Sequence, residues 1–243
     1  MNPINNFFEK VYVTTIDMHG ERRRDLSARI HNTAFEYFSE VDLTRPAFRR
    51  FKNVADYPDT FFKTLNLDKN FATRWSTGQL GCFANCIKLY QHALANNYAS
   101  ILVMEDDVLL NKHAFKIFNK AVKQLPEDWD LIFLGYKNGK THNKAFRWIK
   151  KLFYLIKGKD HRDFVPAFFS RNLDKPPRKF AGGFAYALSK KGIEKLLAYK
   201  SPIQEFGDLL FPVIAHQPGF KAFSVYPQIA REIPFVSSTR QNW

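Results

Sequence analysis

The stretch "ILVMEDDVLL", residues 101–110, passes from an apolar run into three consecutive carboxylates. Residues 100–104 have the length and composition of a buried strand. Glu105, Asp106 and Asp107 follow without a break. Adjacent anions repel one another, and burying even one without a partner costs several kcal/mol. The chain as a whole is basic, with 37 Lys and Arg against 23 Asp and Glu and a formal net charge of +14. A cation is therefore predicted at the end of this strand. The alternative is that one carboxylate caps the next element while the others face water.

Outward from this stretch, elements alternate. "KVYVTTI" (10–16) reads as a first strand, and "ERRRDLSARIHNTAF" after it has helical character. "FEYFSEVDL" (35–43) is a weaker second strand. A helix is predicted from Thr77 as N-cap, with Leu80, Phe83, Ala84, Ile87 and Leu94 at helical spacing. The strand 100–104 comes next, then an amphipathic helix over 112–125 and a buried strand over 130–136. After residue 179 regular structure resumes. "GGFAYALSKKGIEKLLAYK" (182–200) reads as a strand and a helix capped by Ser189, 203–216 as a further helix, and 221–227 as a last strand. This alternation predicts an α/β fold with a mostly parallel sheet.

The 243 residues, 45% hydrophobic, suit one domain with a substantial core. Residues 137–179 interrupt the pattern as a basic insertion, carrying thirteen Lys and Arg against three Asp. Within it "AFRWIKKLFYLIKGK" (145–159) is basic and aromatic at helical spacing. It reads either as a membrane-surface helix or as a helix docked on its own domain with its lysines in solvent. No signal peptide and no run of about 18 apolar residues is seen, so a cytoplasmic, soluble or peripheral protein is expected. Cys82 and Cys86 lie one helical turn apart and read as buried small side chains rather than a zinc site.

Carboxylates at the carboxyl end of a strand in an open α/β sheet stand where ligands bind. Their hard oxygens suit magnesium or manganese, and such an ion can hold a diphosphate. Residue chemistry alone leaves a phosphatase, a nucleotidyltransferase and a sugar-nucleotide transferase open. No Gly-rich phosphate loop is present. A basic nucleic-acid-binding module is a further alternative from the charge, although no RRM, KH or zinc-finger signature accompanies it.

The ordered blocks "VYVTTID…RRR", "STGQLGCFANCIKLYQHAL", "ILVMEDDVLL", "DWDLIFLGY", "GGFAYALSKKGIEKLL" and "GDLL" resemble glycosyltransferase family 25, the lipooligosaccharide-biosynthesis and collagen-galactosyltransferase family. The resemblance runs from about Lys10 to about Phe211. It implies a GT-A-like, Rossmann-type single domain over 1–243, a divalent metal (manganese, or magnesium), and inverting transfer of a hexose. The implied donor is UDP-galactose, and the implied acceptor is lipooligosaccharide or another cell-surface glycan. The acidic triplet corresponds to the family's metal-binding signature, with Asp107 and Glu105 as ligands and Asp106 reaching the donor ribose or sugar.

The resemblance also places Thr14, Thr15 and Asp17 at the nucleotide, with Arg22 and Arg23 matching the family's basic pair. Gln79 and Gly81 open the central helix, where backbone amides can face an anion. Gly182 and Gly183 permit close backbone approach. Asp208 is assigned as the base, with Glu205 in reserve. The chain departs from the family's Gly-Cys-x-x-Ser-His, reading Asn85 and Cys86 in the last two positions. That departure raises two alternatives, an altered specificity or a degenerate, inactive glycosyltransferase. The expected partners are a nucleotide-sugar donor and a glycolipid or oligosaccharide acceptor. Residues 137–179 are expected to give peripheral contact with an anionic membrane on its inner face.

Overall fold

The computed structural model describes residues 2–15, 20–43, 45, 48, 50–137, 144–199, 202–205 and 207–233. Side chains of 21, 22, 144, 145 and 207–209 lie outside that description. The strands are β1 (Lys10–Thr14), β2 (Glu36–Phe38), β3 (Ser100–Glu105), β4 (Val108–Leu110), β5 (Leu131–Lys137), β6 (Ala167–Phe168), β7 (Leu173–Lys175), β8 (Ala181–Ser189), β9 (Ala222–Val225) and β10 (Ala230–Glu232). Eight of them form one sheet in the order β2-β1-β3-β8-β5-β9-β7-β6, and β4 pairs with β10 in a small second sheet.

β2, β1 and β3 are mutually parallel, and β5 is parallel to β9. β8 is antiparallel to both β3 and β5, and β7 is antiparallel to β9 and β6. The sheet is thus mostly parallel, with β7 and β8 reversed. Chain path explains β8. β5 ends at Lys137, the chain leaves through the basic insertion, and β8 re-enters with Ala181 paired to Lys137. A strand that starts where its neighbour stops must run the opposite way.

Strand side chains alternate between two buried layers, so the central strands read as continuous apolar runs. Tyr12, Ile101, Val103, Phe133 and Leu188 join one layer with the central helix Thr77–Ala95, through Leu80, Phe83, Ala84, Ile87 and Tyr90. Val11, Val13, Leu102, Met104 and Ile132 join the other, with Ala114, Phe118 and Ala121 of helix Ala114–Val122. The predicted helix after β1 is two short helices, Gly20–Arg24 and Leu26–Arg29. That predicted over 203–216 is confined to Gly207–Ile214.

Local chemistry accounts for the helix starts. The N-cap of the central helix is Ser76, one residue before the predicted Thr77. Its hydroxyl accepts from Gln79 N, and Gln79 Oε1 accepts from Ser76 N at 2.8 Å, a reciprocal capping box. Ser189 caps helix Lys190–Ala198 as predicted, accepting from Gly192 N at 3.0 Å. Position 192 admits only glycine, because a Cβ there would lie 2.0 Å from the Asp130 carbonyl oxygen. Cys86 is half-buried but Cys82 is exposed, which corrects the expectation that both are buried. Leu89 and Ala93, further along the face that carries Cys82, are buried, so that face is covered only past its first turns.

Candidate active site

β1 and β3 run in parallel and end in register, with Thr14 beside Glu105. The carboxyl ends of two adjacent strands thereby bring Thr15 to the carboxylate turn. Thr15 Oγ1 donates to Asp106 Oδ2 at 2.7 Å, and Arg23 Nε donates to Thr15 Oγ1 at 3.1 Å. Arg23 also lies over the Tyr37 ring at 5.0 Å. Asp106 and Asp107 are buried, at 3% and 7% exposure, and Glu105 is half-buried.

A second guanidinium holds the backbone of the turn. Arg29 Nη2 donates to the Asp106 carbonyl at 2.9 Å and Nη1 to the Val108 carbonyl at 2.8 Å. Burial lowers the Arg29 pKa, against the raising effect of Asp106 and Asp107 nearby. β4 then pairs with β10, and Ile233 N donates to the Asp107 carbonyl at 2.9 Å. Lys137 at the end of β5 reaches Glu232 of β10 at 3.2 Å. The turn is therefore clamped from both sides, and protein cations already stand beside it. Arg29 and the β4–β10 pair were not anticipated from sequence. The only signal for Arg29 was its place in the basic run after β1.

The three carboxylates do not act as one cluster. Among the described residues no group of three or more His, Cys, Asp and Glu side chains is arranged to hold a metal ion. A magnesium-type site needs only one or two protein carboxylates when substrate phosphates complete the shell. Asp106 is turned to Thr15, whereas Asp107 and Glu105 lie on either side of it along the chain. Hard oxygen donors at a strand-end turn fit such an ion.

The structure brings Thr14, Thr15, Arg23, Glu105, Asp106 and Asp107 together. Gly182 and Gly183 lie at the same end of the sheet, as the second and third residues of β8, which runs antiparallel to β3. Gly182 has φ +63°, a backbone state that favours glycine, and a Cβ on Gly183 would press on Phe211, Tyr186 and Phe133 at 3.2–3.3 Å. Gln79 gives its side-chain oxygen to the capping box, and Gly81 packs on Leu43. Glu205 is half-buried in a segment fastened elsewhere. Ile203 N donates to the Asn66 carbonyl at 2.7 Å, and Gln204 Nε2 donates to Asp68 at 2.8 Å. Asp17 lies outside the described residues, as do the side chains of Arg22 and Asp208.

Asn85 and Cys86 have clear surroundings. Asn85 is buried, donating to the Phe38 carbonyl at 3.1 Å and accepting from Val41 N at 3.2 Å. It thereby ties the exit of β2 to the central helix. Cys86 Sγ lies 3.8 Å from the Tyr186 hydroxyl, which is 2.5 Å from that of Tyr90. Burial first, then the neighbouring Cys86, pushes both phenols well above their ordinary pKa.

The Thr15–Asp106 bond yields a direct test. Thr15→Val keeps the shape and removes one hydrogen bond to a buried carboxylate, at a cost of about 1–3 kcal/mol. Urea unfolding is expected to show that loss, with Thr15→Ser restoring most of it.

The profile of glycosyltransferase family 25 (LPS biosynthesis protein) matches residues 8–211. A Haemophilus influenzae protein named "Putative glycosyltransferase" is 23% identical over 93% of this chain and 71% of its own length. A Bos taurus protein named "Probable inactive glycosyltransferase 25 family member 3" is 27% identical over 55% of this chain. The aligned region is only 20% of that relative's length. Mouse xyloside xylosyltransferase 1 superposes with a TM-score of 0.37 at 10% identity, over 87% of this chain and 83% of its own. With its profile spanning nearly the whole described sheet, the chain belongs to glycosyltransferase family 25.

Proposed function

We propose that the protein is a metal-dependent, inverting hexosyltransferase with a GT-A-like domain. On this reading it moves galactose from UDP-galactose onto lipooligosaccharide or another cell-surface glycan. The observation that carries the reading is the clamped turn at Asp106–Asp107, set where β1 and β3 end in register beside Thr15 and Arg23. That edge of an α/β sheet is where a nucleotide binds.

Asp107 and Glu105 would hold a manganese or magnesium ion, which when bound supplies charge stabilisation for a departing diphosphate. Arg23, and Arg22 beside it in sequence, add fixed positive charge for the phosphates. Thr15 holds Asp106 in one orientation for the ribose or sugar hydroxyls. Asp208, with Glu205 in reserve, would take the proton from the acceptor hydroxyl as its oxygen bonds the anomeric carbon. The C–O bond to the diphosphate breaks on the opposite face, so an α-linked donor gives a β-linked product. A cell-surface glycolipid acceptor puts the protein at the cytoplasmic face of the membrane, as a peripheral rather than spanning protein. Among the described residues no helix is long and apolar enough to cross a membrane.

A second reading, a catalytically silent family member, is favoured by Cys86 at the family's His position and by the bovine relative's name. The two readings separate in a transfer assay with UDP-galactose, manganese and a panel of glycan acceptors. The active reading predicts stoichiometric UDP and a β-galactoside by NMR. UDP binding without turnover on any UDP-hexose or acceptor would establish the silent one.

A further inference from the structure

Helix Lys144–Ile156 docks on the protein by its polar face and turns its apolar face to solvent. Arg147 is the anchor, at 8% exposure. Its Nη1 donates to Asp174 Oδ1 at 2.8 Å, Nη2 donates to Asp174 Oδ2, and the guanidinium lies over the Tyr226 ring at 4.2 Å. Two turns on, Tyr154 stacks on Phe164 with ring centres 4.8 Å apart. Residues seven apart share a face, so 147 and 154 define the docked side.

The other side carries Trp148, Ile149, Leu152, Phe153, Leu155 and Ile156, all exposed, with Trp148 at 69% and Ile156 at 77%. A soluble helix has the reverse arrangement. The exposed lysines Lys151, Lys157 and Lys159 lie on and just after this helix, and Lys157 sits 4.4 Å from the Phe153 ring centre. Phe168, 63% exposed, extends the surface on edge strand β6, where it pairs with Asp174, the residue that grips Arg147.

We propose that this apolar face, with Phe168, seats in the headgroup boundary of an anionic lipid bilayer, its lysines reaching lipid phosphates. Exposed aromatic and aliphatic side chains beside lysines match an in-plane interfacial helix. Charge selects the occupant. A second copy of a chain with formal net charge +14 would bring like charges together, whereas an anionic leaflet attracts them. The inference shares with the proposed function only its membrane-borne acceptor. Its test involves no donor sugar, so either can fail alone.

The test is flotation of the full chain with phosphatidylcholine vesicles, with and without phosphatidylglycerol, at low and high salt. Wild type is expected to float with the anionic vesicles and to be released by salt. Lys151→Gln with Lys157→Gln is expected to weaken binding roughly 25-fold, at about fivefold per lysine. Trp148→Ser with Ile156→Ser is expected to weaken it more than tenfold, on the order of the burial lost. These side chains are exposed, so the thermal midpoint of each variant should stay at the wild-type value, which excludes misfolding as the cause. No flotation of wild type at low salt would overturn the proposal, as would unchanged flotation of the Trp148/Ile156 variant. A lipid-free dimer that this variant dissociates would overturn it in favour of self-association.

Discussion

Asp107→Ala is expected to lower sugar transfer by roughly 10²–10³-fold, the cost of removing one group that stabilises charge developing in a transition state. The reaction builds negative charge on the departing diphosphate, and Asp107 is the first-choice ligand for the cation that meets it. The fold should tolerate the change. The Asp107 carbonyl, which accepts from Ile233 N, survives in alanine. Removing the carboxylate relieves repulsion with Asp106 but also takes away charge that favours the Arg29 guanidinium, so the thermal midpoint should shift little. Asp106→Ala should behave differently, because it strips Thr15 of its acceptor and lowers stability as well as transfer. Transfer near the wild-type rate in Asp107→Ala would remove that residue from the chemistry.

The second large effect is on stability. Asp174→Ala is expected to cost about 3–5 kcal/mol in urea unfolding, the range for breaking a buried ion pair from one side. Arg147 is disfavoured by its burial, yet the Asp174 hydrogen bond and charge, with Tyr226 and Tyr136, outweigh this and raise its pKa. Once Asp174 is gone, a buried guanidinium has lost both bidentate partners. Helix Lys144–Ile156 should then lose amide-exchange protection before the sheet does, since this pair is its principal polar anchor. Arg147→Met combined with Asp174→Leu should recover much of the loss. A loss below about 1 kcal/mol in the single variant would mean the pair behaves like a solvent-screened surface bridge.

How much was legible follows from where the information lies. β1, β3 and β5 announced themselves as apolar, β-branched or aromatic runs, because both sheet faces are covered and neither needs polar side chains. The acidic turn after β3 was equally plain. The reversal of β8 was not, because direction depends on where the insertion returns the chain, and local pattern carries no trace of that. β4 and β10 are three residues each, too short for periodicity. Ser76 and Thr77 are both good caps, and the choice is made by which hydroxyl Gln79 N meets.

The acidic turn's need for positive charge was legible, but the part Arg29 plays in meeting it was not. A cation beside Glu105–Asp107 was predicted, and guanidiniums from Arg23 and Arg29 are there. Their contacts arise because the short helices after β1 fold back over the β3 turn, a tertiary event. Helix 144–156 left two readings open, since one amphipathic pattern fits docking by either face. Arg147–Asp174 decides for the polar face, and that pairing spans 27 residues of sequence.

The most direct test of the central claim is calorimetric titration of wild-type protein with UDP-galactose, once with manganese and once with chelator, with UDP as a control ligand. The account predicts saturable binding of both that requires manganese and is lost in Asp107→Ala, as a cation-held diphosphate at the Glu105–Asp107 turn demands. Failure of UDP itself to bind with manganese present would contradict the UDP-sugar reading, whatever the family.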